Sequence, residues 1–303
     1  MYYKEKDNGK NIVPSSKSIQ KNVIQNKYKL LGVLGKGQFG TVCKGVILKT
    51  NELIAIKLES ILAPVYTLKH ESTILRHLSS KKVQHIPQIY YYGLQDPYMC
   101  LIMTHYSQGT LDQLSSEDIE SWWHDACGTL RHIHECGIVH RDIKPAHFMK
   151  QNNHWHLIDF GMATTYWDPF GEHLEAEEER NTHLLGSPNW VSPYIHEGHD
   201  PFRRDDYISL VYIYFEMVLR LYGRHLPWIE KAYGSVTHVD SVVNRQMMRD
   251  KAWDPLVRFM YTHVTDDDTT TARCETIARL CSRLEYNAKP PYDSTLDLHT
   301  MIH

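Results

Sequence analysis

Leu34-Gly35-Lys36-Gly37-Gln38-Phe39-Gly40-Thr41-Val42 carries the spacing G-x-G-x-x-G, and the residues after Gly40 decide between two folds. In a dinucleotide-binding Rossmann unit the third glycine opens a helix whose N-terminus holds the pyrophosphate. Here Gly40 runs instead into Thr41-Val42-Cys43-Lys44-Gly45-Val46, a strand-like segment with a further glycine. Glu59 falls near the acidic position a Rossmann unit expects, but the helix is missing. Seventeen residues beyond Gly40 stands Lys57, in Ile54-Ala55-Ile56-Lys57. The pattern predicts a glycine-rich hairpin beside a strand lysine. Glycines there let backbone N–H groups approach phosphates without a Cβ in the way, and Lys57 adds a cation.

Outward from that hairpin, Tyr28 to Leu58 is a run of short alternating segments broken by Gly35, Gly37, Gly40 and Thr50-Asn51, a meander of three strands. Val65 to Leu78 predicts a helix through Leu68, Ile74, Leu75 and Leu78, and Ile89–Leu94 and Tyr98–Thr104 predict two more strands. After Gly109 the period lengthens. Ser115-x-x-Asp118 has the form of a capping box, and Ile119, Trp122, Ala126, Leu130 and Ile133 follow at helical spacing. Asp206 to Arg220 is nearly all apolar and predicts a helix buried on every side; Thr271 to Leu284 predicts another. The fold class is α+β and bilobal: a small antiparallel β-sheet lobe with one helix (28–104), then a larger, mainly helical lobe (105–290), with a ligand cleft expected between them. Residues 1–27, polar and lysine-rich, read as a flexible basic arm, and 291–303 as a tail.

Composition narrows the function classes. With 42% apolar and 11% aromatic residues in 303, global disorder is excluded. A net charge of −3 gives no overall attraction to nucleic acid or to an anionic membrane, so neither is expected as a partner. The six cysteines contain no C-x-x-C pair, hence neither a disulfide framework nor a cysteine zinc site is expected. No secretory signal pattern opens the sequence, and Ile208–Leu219 is too short to span a bilayer. An intracellular protein, of cytoplasm or nucleus, is expected. Among twenty histidines, His132-x-His134, His154-x-His156 and His196-x-x-His199 lack cysteines at zinc spacing and read as surface or packed residues.

Two further signatures lie downstream of the predicted long helix: His140-Arg141-Asp142-Ile143-Lys144-Pro145, and Asp159-Phe160-Gly161 after the strand-like Trp155–Ile158. With the glycine-rich hairpin, Lys57 and an acidic partner for it, Glu71, their order and spacing make one joint signal. The sequence resembles the eukaryotic-type protein kinase superfamily over roughly residues 28 to 290. More narrowly it is similar to the casein kinase I group, through Ile56-Lys57-Leu58-Glu59, Glu71-Ser72, Ile86-Pro87, Arg203-Arg204-Asp205-Asp206-x-x-Ser209-Leu210 and Leu226-Pro227-Trp228. Like that group it lacks Ala-Pro-Glu, having Ser192-Pro193-Tyr194 instead.

The resemblance implies an ATP-dependent enzyme acting on serine or threonine of protein substrates. ATP would be held by Leu34, Gly35, Lys36, Gly37, Gln38, Phe39, Gly40, Thr41, Val42 and Lys57, with Glu71 steadying Lys57. Asp142 would be the catalytic base, Lys144 would balance charge on the transferring group, and Asp159 would hold Mg²⁺. Ser187 would contact Asp142 and Lys144, and Asp206 would brace the catalytic loop. Arg203 and Arg204, joined by Lys231, match residues that favour acidic or pre-phosphorylated substrates, and a monomer is expected. The acidic run Glu175, Glu177, Glu178 and Glu179 falls in the activation segment, a solvated loop or a source of stabilising anions. One residue departs from the pattern: His147 stands where a kinase has a metal-binding asparagine. Imidazole suits Mn²⁺ better than Mg²⁺, so a Mn²⁺ preference with weakened activity is expected. The alternative, a pseudokinase, rests on His147 alone.

Overall fold

Ile54, Ile56 and Leu58 alternate along Leu53–Ser60 with half-buried neighbours, the burial pattern of a strand with one face against a core. The computed structural model describes residues 23–37, 40–63, 66–107, 109–111, 114–168, 171–174, 179–231, 233, 236–264 and 268–293. Gln38 and Phe39 of the hairpin, Glu175, Glu177 and Glu178 of the acidic run, most of the arm and the tail past 293 lie outside them. The chain divides into two compact units, one within Met1–Val65 and Tyr90–His105, the other within Tyr66–Ile89 and Tyr106–His303.

The first unit is a six-stranded sheet of β1 (Val23–Ile24), β2 (Tyr28–Gly37), β3 (Gly40–Ile47), β4 (Leu53–Ser60), β5 (Ile89–Gln95) and β6 (Tyr98–Thr104), in the order β1-β2-β3-β4-β6-β5. Its core gathers Ile24, Tyr28, Cys43, Ile47, Ile54, Ile56, Leu58, Cys100 and Ile102. Val23 and Ile24, expected in the flexible arm, pair with Lys29 and Tyr28 because Ile24 has an apolar core to enter. Gly40 opens strand β3, not a helix, and the β2–β3 register sets Gly35 opposite Val42 and Lys36 opposite Thr41. At Gly40 (φ 144°) an added Cβ would lie 2.2 Å from the Leu58 carbonyl oxygen, so only glycine fits there.

The second unit begins with α1 (Thr67–Ser80). Expected in the small lobe, α1 groups here because Ile74, Leu75 and Leu78 belong to the larger core. Next come α2 (Ser116–Glu135), β7 (Ile138–Val139), β8 (Phe148–Gln151), β9 (His154–Leu157) and β10 (Thr164–Thr165), followed by α3 (Pro193–His196) and α4 (Arg203–Leu221). The chain continues through α5 (Pro227–Glu230), α6 (Val242–Asp250), α7 (Trp253–His263) and α8 (Asp268–Cys281). β8 pairs with β9, and β7 with β10, both antiparallel. The Ser115 hydroxyl accepts the Asp118 N–H and the Asp118 carboxylate accepts the Ser115 N–H, closing the capping box of α2. Along α4 every residue from Arg204 to Leu219 is buried, and Trp123 of α2 packs against Tyr207 and Tyr214 on it. Tyr292, expected in the tail, is 2% exposed in this core, where His134 bonds its hydroxyl. None of the described helices is long and apolar enough to cross a membrane.

Candidate active site

The loop His140–Pro145 is fixed from below by one carboxylate. Asp206, in the first turn of α4, accepts the His140 N–H at 2.6 Å and the Arg141 N–H at 2.8 Å. It also takes the His134 Nε2–H at 3.0 Å, while His134 Nδ1 accepts from the Tyr292 hydroxyl. These bonds hold Arg141 at φ 66°, a left-handed conformation that costs a non-glycine residue about 1–2 kcal/mol. Above the loop, His140 Nδ1 accepts the Asp142 N–H and its Nε2–H donates to the Ile158 carbonyl, both at 3.3 Å. Its ring stands edge-on to Phe160 at 4.9 Å. Burial pushes the His140 imidazole down to about 4, so at neutral pH it is an uncharged strut between the loop and the strand leading to Asp159.

Three side chains close a triangle. Lys144 Nζ donates to Asp142 Oδ2 at 2.6 Å, Ser187 Oγ donates to Asp142 Oδ1 at 2.7 Å, and Lys144 Nζ reaches Ser187 Oγ at 3.3 Å. Burial alone would raise the Asp142 carboxyl, but His147, Lys144 and Ser187 outweigh it and hold the group below its ordinary range. Ser187 reaches inward because Gly186 precedes it: at φ 89°, a Cβ there would sit 2.8 Å from the Arg141 carbonyl oxygen. Asp142 is therefore an ionised, hydrogen-bonded acceptor flanked by a cation.

His147 ends the 3₁₀ turn Pro145–His147 and is 6% exposed. Its Nδ1–H donates to the Asp142 carbonyl at 2.9 Å, and its Nε2 lies 3.3 Å from Asp159 Oδ2. Either a proton on Nε2 or a bound cation between the two groups would join the ring to that carboxylate. Two ligands each ~2.1 Å from a metal and about a right angle apart are ~3 Å from each other, so this spacing fits a shared divalent ion. Asp159 itself is held at φ 66° on the link from β9.

Glu71 of α1 is 2% exposed and accepts the Phe160 N–H at 3.3 Å. In the first unit, Lys57 lies on β4 opposite Val42 of β3, beside the glycine hairpin in which Leu34, Gly35 and Lys36 are exposed. The expected basic patch is largely consumed by packing. Arg204 is 6% exposed, stacked 3.5 Å over the Tyr194 ring and 3.7 Å from Asp205, because a guanidinium flanked by aromatic faces buries readily. Lys231 pairs with Asp250 at 2.7 Å. Arg203 stacks over Tyr166 and donates to the Asn287 carbonyl while staying half-buried.

One cluster had no counterpart in the sequence motifs. Lys251, fully buried after α6, donates from Nζ to the Pro188 and Val191 carbonyls at 2.7 and 2.6 Å and to His196 Nε2 at 3.0 Å. Tyr212 and Trp228 present ring faces to it at 5.2 and 5.3 Å. His196 Nδ1–H donates to Asn244 Oδ1, whose amide N–H groups go to the His196 and Val239 carbonyls. Lys251 thus fixes the segment just after Ser187. An isolated lysine in a polar stretch carries no sequence signal of such a role.

Comparison with known proteins bears directly on this site. The family described as protein kinase domain matches residues 28–259. "Casein kinase I homolog 3" of Schizosaccharomyces pombe (strain 972 / ATCC 24843) is 31% identical over 229 residues, 71% of this chain and 50% of the relative. The chain spans about half the length of that curated relative.

Proposed function

The chain belongs to the protein kinase family, as a member resembling casein kinase I, and from that premise we propose that it transfers the γ-phosphoryl group of ATP to serine and threonine hydroxyls of protein substrates. The observation that carries this reading is the triangle of Asp142, Lys144 and Ser187. A hydroxyl brought to Asp142 meets an ionised acceptor that aligns it and takes its proton. A carboxylate of depressed pKa is a weak base, which suits a reaction that depends on alignment and on cations around the phosphoryl oxygens. Lys144 supplies one such cation. The hairpin Leu34–Val42 and Lys57 bind the ATP phosphates. A divalent ion, when bound, neutralises charge on the phosphates, and Asp159 with His147 holds it.

Because one of those ligands is imidazole nitrogen, Mn²⁺ is favoured over Mg²⁺. With radiolabelled ATP and casein, activity is expected to be weak in Mg²⁺ and higher in Mn²⁺. His147→Asn should raise the Mg²⁺ rate by at least the ~10–100-fold typical of restoring an outer-shell partner. Silence in both metals, unrelieved by His147→Asn, would leave a pseudokinase that binds nucleotide or a partner.

The enzyme acts inside the cell as a monomer, on proteins with acidic or phosphorylated residues ahead of the acceptor, and not on nucleic acid or membranes. Arg203 is the member of the basic patch that supports this preference: among the described ion pairs Arg204 and Lys231 are matched with Asp205 and Asp250, whereas Arg203 meets only aromatic rings and the Asn287 carbonyl. Acidic or phosphorylated peptides should outrun basic ones, and Arg203→Ala should narrow the difference. A preference for basic peptides would remove Arg203 from substrate recognition.

A further inference from the structure

His85, Asp125 and His154 come from three separate parts of the second unit: the loop after α1, the middle of α2 and the start of β9. One ligand atom of each lies within 4.8 Å of the other two. Asp125 is 9% exposed, and its Oδ2 accepts the Trp155 N–H at 2.9 Å, which docks the carboxylate against the β8–β9 hairpin. His154 Nδ1 stands 3.4 Å from both Asp125 oxygens. The His85 ring lies 4.8 Å from that of His154, centre to centre, and its carbonyl accepts the Leu157 N–H at 2.9 Å.

The independent observation is at His85. Its Nδ1 is buried and has no hydrogen-bond partner among the described residues. A ring nitrogen shut off from water and left unbonded is uncommon in folded proteins and marks a missing proton donor or ion. Two imidazoles and one carboxylate form a borderline-soft donor set, the ligand chemistry of zinc-class divalent ions; Mg²⁺ and Ca²⁺ require oxygen ligands.

We propose that His85, Asp125 and His154 form a second metal site, for Zn²⁺ or a similar transition ion, with water in the fourth position. The 4.8 Å spread is wider than ligands on one ion allow, so the site closes on binding. His154 is the residue that moves, because its side chain is 57% exposed at the end of the β8–β9 turn. The ion would tie the loop after α1 and α2 to β9, the strand that runs through Ile158 into Asp159. The ligands come from distant stretches without cysteine, so spacing rules applied to neighbouring histidines do not find them.

The test uses the full chain stripped of metal by chelator, titrated calorimetrically with ZnCl₂ and melted with and without one equivalent of zinc. Wild type is expected to bind an equivalent that His147→Asn retains, and that is lost or weakened at least ~10–100-fold in His154→Ala and His85→Ala, the scale of outer-shell losses being the floor. Co²⁺ in the same site should give tetrahedral visible bands in wild type and not in His154→Ala. His154→Ala alters an exposed side chain and keeps the test decisive if His85→Ala fails to fold. Equal stoichiometry, affinity and melting shift in wild type and His154→Ala would overturn the proposal. So would loss of the equivalent in His147→Asn alone, which would assign the zinc to the Asp159 site.

Discussion

Asp142→Asn is expected to lower phosphoryl transfer to casein by roughly the 10²–10⁴-fold that a positioned acid–base group contributes, with the folded state retained. The amide fills the same space and can still meet Ser187, but it takes no proton and leaves the Lys144 ammonium without the charge it touches at 2.6 Å. Lys57→Ala and Asp159→Asn should abolish transfer by a different route, loss of nucleotide and metal, and so should weaken ATP binding where Asp142→Asn does not. Ser187→Ala is the graded control. It removes one hydrogen bond to the ionised Asp142, about 1.5–3 kcal/mol, and should cost roughly ten- to a hundredfold. Near-native turnover by Asp142→Asn in contaminant-free enzyme would remove Asp142 from the chemistry.

The parts of this site that local sequence can carry were legible. Ser115 and Asp118 mark the start of α2 because a capping box is a contact between residues three apart. The strand after Gly40 is readable because alternation is local. His147 could be read as a departure, but not its orientation, since only the fold shows its Nδ1–H spent on the Asp142 carbonyl and its Nε2 turned to Asp159. Arg204 was matched by resemblance to substrate-recognising residues, and a resemblance in sequence does not register its aromatic sandwich between Tyr194 and Tyr286. Val23 and Ile24 went to the arm because two apolar residues make no period, yet one neighbouring strand suffices to pair them. Lys251 and the His85–Asp125–His154 group were invisible for a stronger reason: each is assembled from chain segments brought together only by the tertiary fold.

Lys251 and His196 also set how the second unit responds to acid. The Asn244 amide, with both N–H groups given to carbonyls, must accept from His196, so the imidazole proton sits on Nδ1 and Nε2 is the lone pair that takes an N–H of Lys251, whose pKa burial pushes well below the ordinary 10.5. A second proton on His196 would have to sit on Nε2, aimed at that Lys251 N–H. Burial first, and Lys251 second, push the His196 pKa down from the ordinary 6.5 to about 3. The folded state then binds fewer protons than the unfolded chain between those values, so its stability is fully present above pH 6.5 and falls as pH drops, by ~1.4 kcal/mol per pH unit. His140, depressed to about 4, adds the same slope in the same direction. Asp205 opposes them: burial raises its carboxyl to about 6, so below that pH the native state takes up a proton and recovers one such slope. From pH 6.5 to 4.5 the two histidines outweigh Asp205, and buried His134, whose pKa is also pushed down, adds to them, so the urea unfolding free energy should fall. His196→Gln should be less stable at pH 7, because it disturbs the bonds to Lys251 and Asn244. Its stability should decline less steeply with acid, by ~1.4 kcal/mol per pH unit, because the amide does not titrate. Parallel slopes for wild type and His196→Gln would mean that His196 protonates without penalty in the folded protein, and that the lone pair facing Lys251 is wrongly assigned.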